Sequence, residues 1–152
     1  MKPKRIAHRA NLNGPDPSRE NTLDAAEDCI NKGYDVEIDL WYQDRTLSLG
    51  HNEPEWAIPY SFLADNRCWL WIHCKELSSL QYMTDVKDAG LNFFWHQGDD
   101  YTLTSKGHIW TYPGKKLCNR SVAVCPDRVP DWNIPTDVYG ICSDYISTFE
   151  IT

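Results

Sequence analysis

The order of strand and helix patterns in the first half of the chain limits the fold more than any other feature. One segment alternates apolar and polar side chains with a period of two, which is typical of a strand. Another carries apolar side chains at helical spacing, with Asn21 as the expected N-cap and Gly33 after its end. We predict the order strand, helix, strand, strand, helix, strand over residues 5–9, 22–32, 35–42, 46–50, 59–63 and 68–75.

This order favours parallel strands joined by right-handed crossovers. A further helix is expected to begin at Ser78 or Ser79, and the helical patterns fade beyond Gly90. The second half then shows short strand patterns separated by polar or proline-containing segments, at residues 92–96, 108–112, 121–125 and 139–143. A length of 152 residues fits one domain with one core, so we predict a single α/β domain.

Charge and hydropathy exclude several classes of protein. The formal net charge is −7 and the basic residues are scattered, so we expect no nucleic-acid partner. No apolar stretch approaches the roughly 20 residues of a membrane span, and no signal-like segment follows Met1. We therefore expect a cytoplasmic protein without a membrane span and with reduced cysteines. An anionic substrate would need a local cation, from basic side chains or from a metal.

Polar side chains gather where the predicted strands end. Glu37 and Asp39 lie on one face of the second strand, and His73 and Lys75 share one face of the strand over 68–75. If these strands are parallel neighbours of the first strand, which ends at His8, the side chains meet at one edge of the sheet. Two carboxylates so placed can bind a divalent cation, and two histidines can exchange protons near neutral pH.

Each member of this set also has an ordinary explanation. Glu37 and Asp39 could be a solvated surface pair, and His73 could be a hydrogen-bonded core residue. Arg9 beside His8 could be incidental. The case depends on their combination at three strand ends.

Six ordered segments resemble the signature of the glycerophosphodiester phosphodiesterases. They are His8-Arg9, Glu20-Asn21-Thr22 at the start of the first helix, Glu37-Ile38-Asp39, His51, Ile72-His73-Cys74-Lys75, and Gly140-Ile141-Cys142-Ser143-Asp144-Tyr145. The likeness is dense over residues 5–75 and returns at 139–145.

The resemblance implies a TIM-like (β/α) barrel, here shortened, with helices reduced or missing in the second half of a single domain, 1–152. It implies an enzyme that hydrolyses a small phosphodiester to an alcohol and a phosphomonoester. The implied metal ligands are Glu37, Asp39 and His73; the catalytic residues are His8 as base and His51 as acid; Arg9 and Lys75 bind the phosphate; Glu20 and Asn21 support the site.

Three residues depart from the family pattern, and one of them, His73, bears on the cofactor. The family pattern implies Mg²⁺ or Ca²⁺, but His73 stands where the family has an acidic ligand, and imidazole favours Mn²⁺ or Zn²⁺. Ala10 replaces a glycine, and Asn52 replaces the aspartate after the second histidine.

Missing outer helices would expose an apolar flank that a homodimer could cover.

Two other functions stay open. A lyase similar to the spider phospholipase D toxins would release a cyclic phosphate from a lysolipid, and Trp56, Trp95 and Trp110 are candidates for the apolar rim it would need. A non-catalytic barrel that only binds a ligand would account for the replacement of an acidic ligand by His73.

Overall fold

The fold is a strongly curled, mixed β-sheet that forms a half-barrel. The computed structural model describes residues 2–86 and 90–150. The strands are β1 (Lys4–Ala7), β2 (Asp35–Gln43), β3 (Thr46–Leu49), β4 (Trp56–Ile58), β5 (Leu70–Cys74), β6 (Phe93–Trp95), β7 (Tyr101–Leu103), β8 (Ile109–Thr111), β9 (Ser121–Val124) and β10 (Gly140–Ser143). The α-helices are α1 (Leu23–Asn31), α2 (Tyr60–Asp65) and α3 (Leu77–Asp85).

Strand β2 organises the sheet because it has three neighbours. Its first residues pair with β1 in parallel, and its last residues pair with β3 in an antiparallel hairpin. Its other edge runs parallel to β5, with Asp39 opposite His73. The predicted parallel pairing is therefore confirmed for β1, β2 and β5, whereas β3 is antiparallel to β2. From β1 the sheet continues through β10, β9 and β8 to β7, and from β5 it continues to β6.

The prediction of a shortened TIM-like (β/α) barrel was wrong. Strands and helices do not alternate around a closed ring; three short helices accompany a mixed sheet. Between residues 96 and 139, all of which are described, the strands are joined by turns, irregular chain and one 3-10 turn, Pro126–Arg128. Prolines and glycines punctuate these connections, and a helix cannot propagate through them. The chain therefore returns to the sheet without crossover helices.

The sheet separates two apolar clusters. On its outer face, the apolar residues of β2 form one buried cluster with residues of the three helices. The helix residues in this cluster include Ala26 of α1, Leu63 of α2 and Met83 of α3. On its inner face, a smaller cluster includes Trp71, Trp110 and residues of β9 and β10. Successive side chains along a strand point to opposite faces of the sheet. Because the apolar residues of β2 face the helices, its acidic residues face the inner side of the sheet.

None of the helices in the described ranges is long and apolar enough to cross a membrane.

Candidate active site

A cavity of about 520 Å³ opens on the inner side of the sheet, towards the carboxyl ends of its parallel strands. Seven of the nine residues that the sequence singles out line it: His8, Arg9, Glu37, Asp39, His51, His73 and Lys75. The other two, Glu20 and Asn21, lie behind this wall and contact its residues.

The floor of the cavity is a buried pair of carboxylates on β2. Glu37 and Asp39 are 2% and 1% exposed. Burial and the neighbouring charge of Asp39 raise the pKa of Glu37. Burial would also raise the pKa of Asp39, but hydrogen bonds from His51 and His73 and the charge of Lys75 hold it well below its ordinary value. Asp39 is therefore ionised, and Glu37 holds its negative charge against an unfavourable environment.

His73 directs its ring nitrogen Nδ1 at these carboxylates. Its Nε2 lies 3.1 Å from the carbonyl oxygen of His96, and a carbonyl only accepts, so Nε2 carries the proton. Its Nδ1 lies 3.0 Å from Asp39 Oδ1 and 3.8 Å from Glu37 Oε1. In the neutral ring, Nδ1 is a bare acceptor facing two acceptors, so a second proton or a cation is needed between them.

These three side chains could hold a metal ion. One ligand atom from each of Glu37, Asp39 and His73 lies within 4.8 Å of the others. The bond from His73 Nε2 to a backbone carbonyl is the kind of outer contact that fixes the orientation of a metal-binding histidine. Two oxygens and one imidazole nitrogen suit Mn²⁺ and also admit Mg²⁺ or Zn²⁺.

Two cationic side chains lie over the acidic floor. The Lys75 ammonium is 3.3 Å from Asp39 Oδ1, and Arg9 Nε is 3.6 Å from Asp39 Oδ2. The backbone N–H of Arg9 also donates to Glu37 Oε2 at 2.9 Å. Both Arg9 and Ala10 have positive φ angles, 52° and 64°. Ala10 stands at the glycine position of the family pattern, so the left-handed backbone costs about 1–2 kcal/mol per residue here, and it turns Arg9 over the cavity.

The two ring nitrogens of His51 have partners of opposite kind. Its Nε2 lies 3.0 Å from Arg9 Nη2, and a guanidinium only donates, so this nitrogen accepts. Its Nδ1 therefore carries the proton, which it donates to Asp39 Oδ2 at 3.1 Å. The unprotonated Nε2 is the atom available for taking a proton.

His8 lies on the opposite side of the floor and has a different environment. Its Nδ1 is 2.9 Å from Asp144 Oδ1, and its Nε2 is 4.0 Å from Glu37 Oε2. Burial alone would lower the pKa of His8, but hydrogen bonds to Asp144 and Cys125 and the charge of Glu37 raise it well above its ordinary value. His8 therefore retains its second proton near neutral pH.

The two supporting residues act in different ways. Glu20 lies 3.6 Å from Arg9 Nη1 and accepts a hydrogen bond from Asn11, so it positions the guanidinium. Asn21 exchanges two hydrogen bonds of 2.9 Å with the side chain and the backbone N–H of Asp39. The prediction that Asn21 caps α1 was wrong, because Thr22 is the cap and accepts from the N–H of Ala25.

Asp144 and Cys125 are among the residues at or beside the cavity to which the sequence analysis gave no role. Each follows directly after a parallel strand, β10 and β9 respectively, so the signal used for the first strands applies to them as well. Of the three tryptophans considered for an apolar rim, Trp110 lines the cavity, whereas Trp56 and Trp95 are exposed and lie outside its wall.

Comparison with protein-family models, with curated proteins and with solved structures gives no match to this chain. The case for a function therefore rests on the chemistry of the cavity.

Proposed function

We propose that this protein is a hydrolase that uses a divalent cation to cleave a small phosphodiester into an alcohol and a phosphomonoester. The observation that carries this function is the meeting of Glu37, Asp39 and His73 with two cationic side chains and two histidines in one cavity. The overall charge of −7 repels anions, so an anionic substrate needs a site with local positive charge, which the cation, Arg9 and Lys75 would supply.

The carboxylates and His73 would hold the cation. When bound, the ion would polarise a phosphoryl oxygen and offset the charge that grows in the transition state. With the acidic floor neutralised in this way, Arg9 and Lys75 become available to phosphate oxygens. A guanidinium pairs with two such oxygens, and an ammonium adds a point charge.

The hydrogen bonds favour a division of labour opposite to the one that the family resemblance implies. His51, whose Nε2 accepts from Arg9, is suited to be the base, and His8, held by Asp144 through Nδ1, is suited to be the acid. In this scheme His51 Nε2 takes a proton from the water whose oxygen attacks phosphorus. The bond from phosphorus to the leaving alcohol oxygen breaks, and that oxygen receives a proton from His8 Nε2.

The alternatives have less support. A lysolipid substrate needs an apolar rim, and Trp56 and Trp95 lie outside the cavity wall. The non-catalytic interpretation depends on His73, yet its Nδ1 lies close enough to Glu37 and Asp39 to share a metal ion with them. A homodimer and a cytoplasmic location remain predictions; the exposed Tyr101 and Leu103 on β7 are the surface that a second copy could cover.

Replacing the two histidines tests the proposed hydrolysis. We expect His8→Ala and His51→Ala each to lower turnover of glycerophosphodiesters by about 10²–10⁴-fold in the presence of Mg²⁺ or Mn²⁺, because each removes one proton transfer. The matched control is His108→Ala, since His108 stacks on Tyr139 away from the cavity. Phosphorus NMR identifies the product as an open phosphomonoester or a cyclic phosphate.

Near-normal turnover in both variants would exclude this site. If the protein binds Mg²⁺, Ca²⁺, Mn²⁺ and Zn²⁺ but hydrolyses no substrate with any of them, the non-catalytic, ligand-binding function is favoured.

A further inference from the structure

A second group of metal-ligand side chains lies beside the cavity. His8, Cys125 and Asp144 follow β1, β9 and β10, which are neighbours in the sheet in the order β1, β10, β9. The Cys125 sulfur is 3.7 Å from His8 Nδ1, and Asp144 Oδ1 is 2.9 Å from the same nitrogen. All three residues are more than nine-tenths buried.

This arrangement differs from a catalytic triad. In a triad the histidine uses one ring nitrogen towards the nucleophile and the other towards the carboxylate. Here the thiol and the carboxylate both approach Nδ1 of His8, so the ring cannot relay a proton from Cys125 to Asp144. Three donor atoms of different chemistry that converge on one point are instead typical of ligands around a cation.

The separations fit a tetrahedral zinc ion. Standard Zn–S and Zn–N bond lengths at tetrahedral angles place sulfur and nitrogen about 3.5 Å apart, and nitrogen and oxygen about 3.3 Å apart. The observed 3.7 Å and 2.9 Å differ from these by a few tenths of an ångström, and all three ligand atoms lie within 4.8 Å of one another. Because His8 and Cys125 also line the cavity, a fourth position can open towards water.

Neighbouring residues fix the carboxylate. The Asn11 amide donates to Asp144 Oδ1 at 2.9 Å, and Arg128 Nη2 lies 3.5 Å from Asp144 Oδ2. Such outer contacts commonly orient metal ligands. The sulfur distinguishes this group from the Glu37, Asp39 and His73 set, which offers only oxygen and nitrogen, because thiolate selects Zn²⁺ over Mg²⁺ and Ca²⁺.

We propose that His8, Cys125 and Asp144 form a second cation site that takes Zn²⁺, and that Zn²⁺ bound there inhibits hydrolysis. Binding replaces the proton on the Cys125 thiol and the proton on His8 Nδ1 with bonds to zinc, and both protons pass to solvent. With zinc on Nδ1, the His8 ring can release its Nε2 proton only by becoming an imidazolate, so Nε2–H is a poor donor to a leaving alcohol. The inhibition rests on the proposed hydrolase function, whereas the binding of Zn²⁺ does not.

Cobalt spectroscopy tests the binding site. In buffer containing Mg²⁺, we expect Co²⁺ to give a thiolate-to-cobalt charge-transfer band that added Zn²⁺ abolishes. The band should disappear in Cys125→Ser and persist in the matched control Cys118→Ser, because Cys118 is an exposed thiol outside the cavity wall. Asp144→Asn should weaken Co²⁺ binding about ten-fold or more. A band that survives Cys125→Ser, or no band in the wild-type protein, overturns the site.

X-ray absorption on the wild-type protein gives a result that needs no variant to fold. With one equivalent of Zn²⁺ bound, we expect one sulfur neighbour at about 2.3 Å. A zinc shell made only of oxygen and nitrogen overturns the site.

The inhibition is measured as the ratio of turnover with and without Zn²⁺ within each variant. We expect at least a ten-fold drop for the wild-type protein and for Cys118→Ser, and less than a two-fold drop for Cys125→Ser. Equal drops in Cys125→Ser and Cys118→Ser overturn the inhibition. A cobalt–thiolate band in a protein that hydrolyses no phosphodiester supports the zinc site and contradicts the hydrolase function.

Discussion

Replacing Glu37 by glutamine separates the role of the carboxylate pair in function from its effect on stability. The ligand atoms of Glu37, Asp39 and His73 lie within 4.8 Å of one another, and Glu37 is buried. At an effective dielectric constant of about 20, two negative charges at this separation repel by about 3 kcal/mol. The neighbouring His8 and His73 favour the ionised form and offset part of this repulsion.

We therefore expect Glu37→Gln to raise the free energy of unfolding of the metal-free protein by about 1–2 kcal/mol near neutral pH. For a domain of this size the melting temperature should rise by about 2–8 °C. The glutamine oxygen can still accept the Arg9 N–H that Glu37 Oε2 accepts at 2.9 Å, so no buried donor loses its partner. Because one of the two carboxylates proposed to hold the cation is lost, affinity for Mn²⁺ should fall by about 10–100-fold or more, and turnover with it.

Calorimetry of the wild-type and variant proteins, with EDTA and with Mn²⁺, measures both effects. The matched control is Asp35→Asn, an equal change of charge on the same strand. Asp35 accepts hydrogen bonds from Lys4 at 3.0 Å and from Trp71 at 3.1 Å, so its neutralisation should lower the melting temperature and leave the response to Mn²⁺ intact. A Glu37→Gln protein that melts below wild type in EDTA, or that Mn²⁺ stabilises as much as wild type, would refute this account of the site.

Two further predictions concern stability. Glu37 and His8 have higher pKa values in the folded protein than in the unfolded chain, where they are 4.5 and 6.5, so protons on these groups stabilise the fold. This stabilisation is fully present below the unfolded-state values and is lost as the pH rises through the folded-state values. The free energy of unfolding of the metal-free protein, measured in urea, should therefore fall from mildly acidic to alkaline pH, and Mn²⁺ should reduce this fall; a rise over the same range would contradict the raised pKa values. Asn21→Ala removes two buried hydrogen bonds to Asp39 and should lower the free energy of unfolding, measured in urea, by about 2–4 kcal/mol. The control Asn66→Ala, at the end of α2, should lower it by about 1 kcal/mol or less. Equal losses in the two variants would show that Asn21 does not support the site.

Strong local patterns made part of the fold predictable. The period of two over β2 and the helical spacing over α1 are set by side chains that must share one face, so both elements lie within one or two residues of the predicted bounds. Strands β4 and β7 have only three residues each, too few to show a period. They form because β3 and β8 offer them free backbone edges, which depends on the tertiary structure.

The site was predictable to the extent that it lies at strand ends. Polarity at the ends of β1, β2 and β5 indicated the acidic floor of the cavity and the cationic side chains over it, but the sequence does not give the neighbour order β1, β10, β9. Without that order, Cys125 and Asp144 could not be placed against His8. The proton on Nε2 of His73 could not be predicted from the sequence either. It follows from the contact with the backbone carbonyl of His96, which lies 23 positions further along the chain.

The site does not depend on the barrel that was expected around it. What it needs is parallel strands whose carboxyl ends meet, and the pairing among β1, β2, β5, β9 and β10 supplies this without crossover helices in the second half. His8 stands where the two groups of ligands meet, with Nε2 4.0 Å from Glu37 and Nδ1 2.9 Å from Asp144. A positive charge held on either side must therefore disfavour the second proton on His8. Because coupling between binding events is reciprocal, that proton should in turn weaken cation binding on both sides, and we expect the pH dependence of the proposed hydrolysis to change with the cation that is bound.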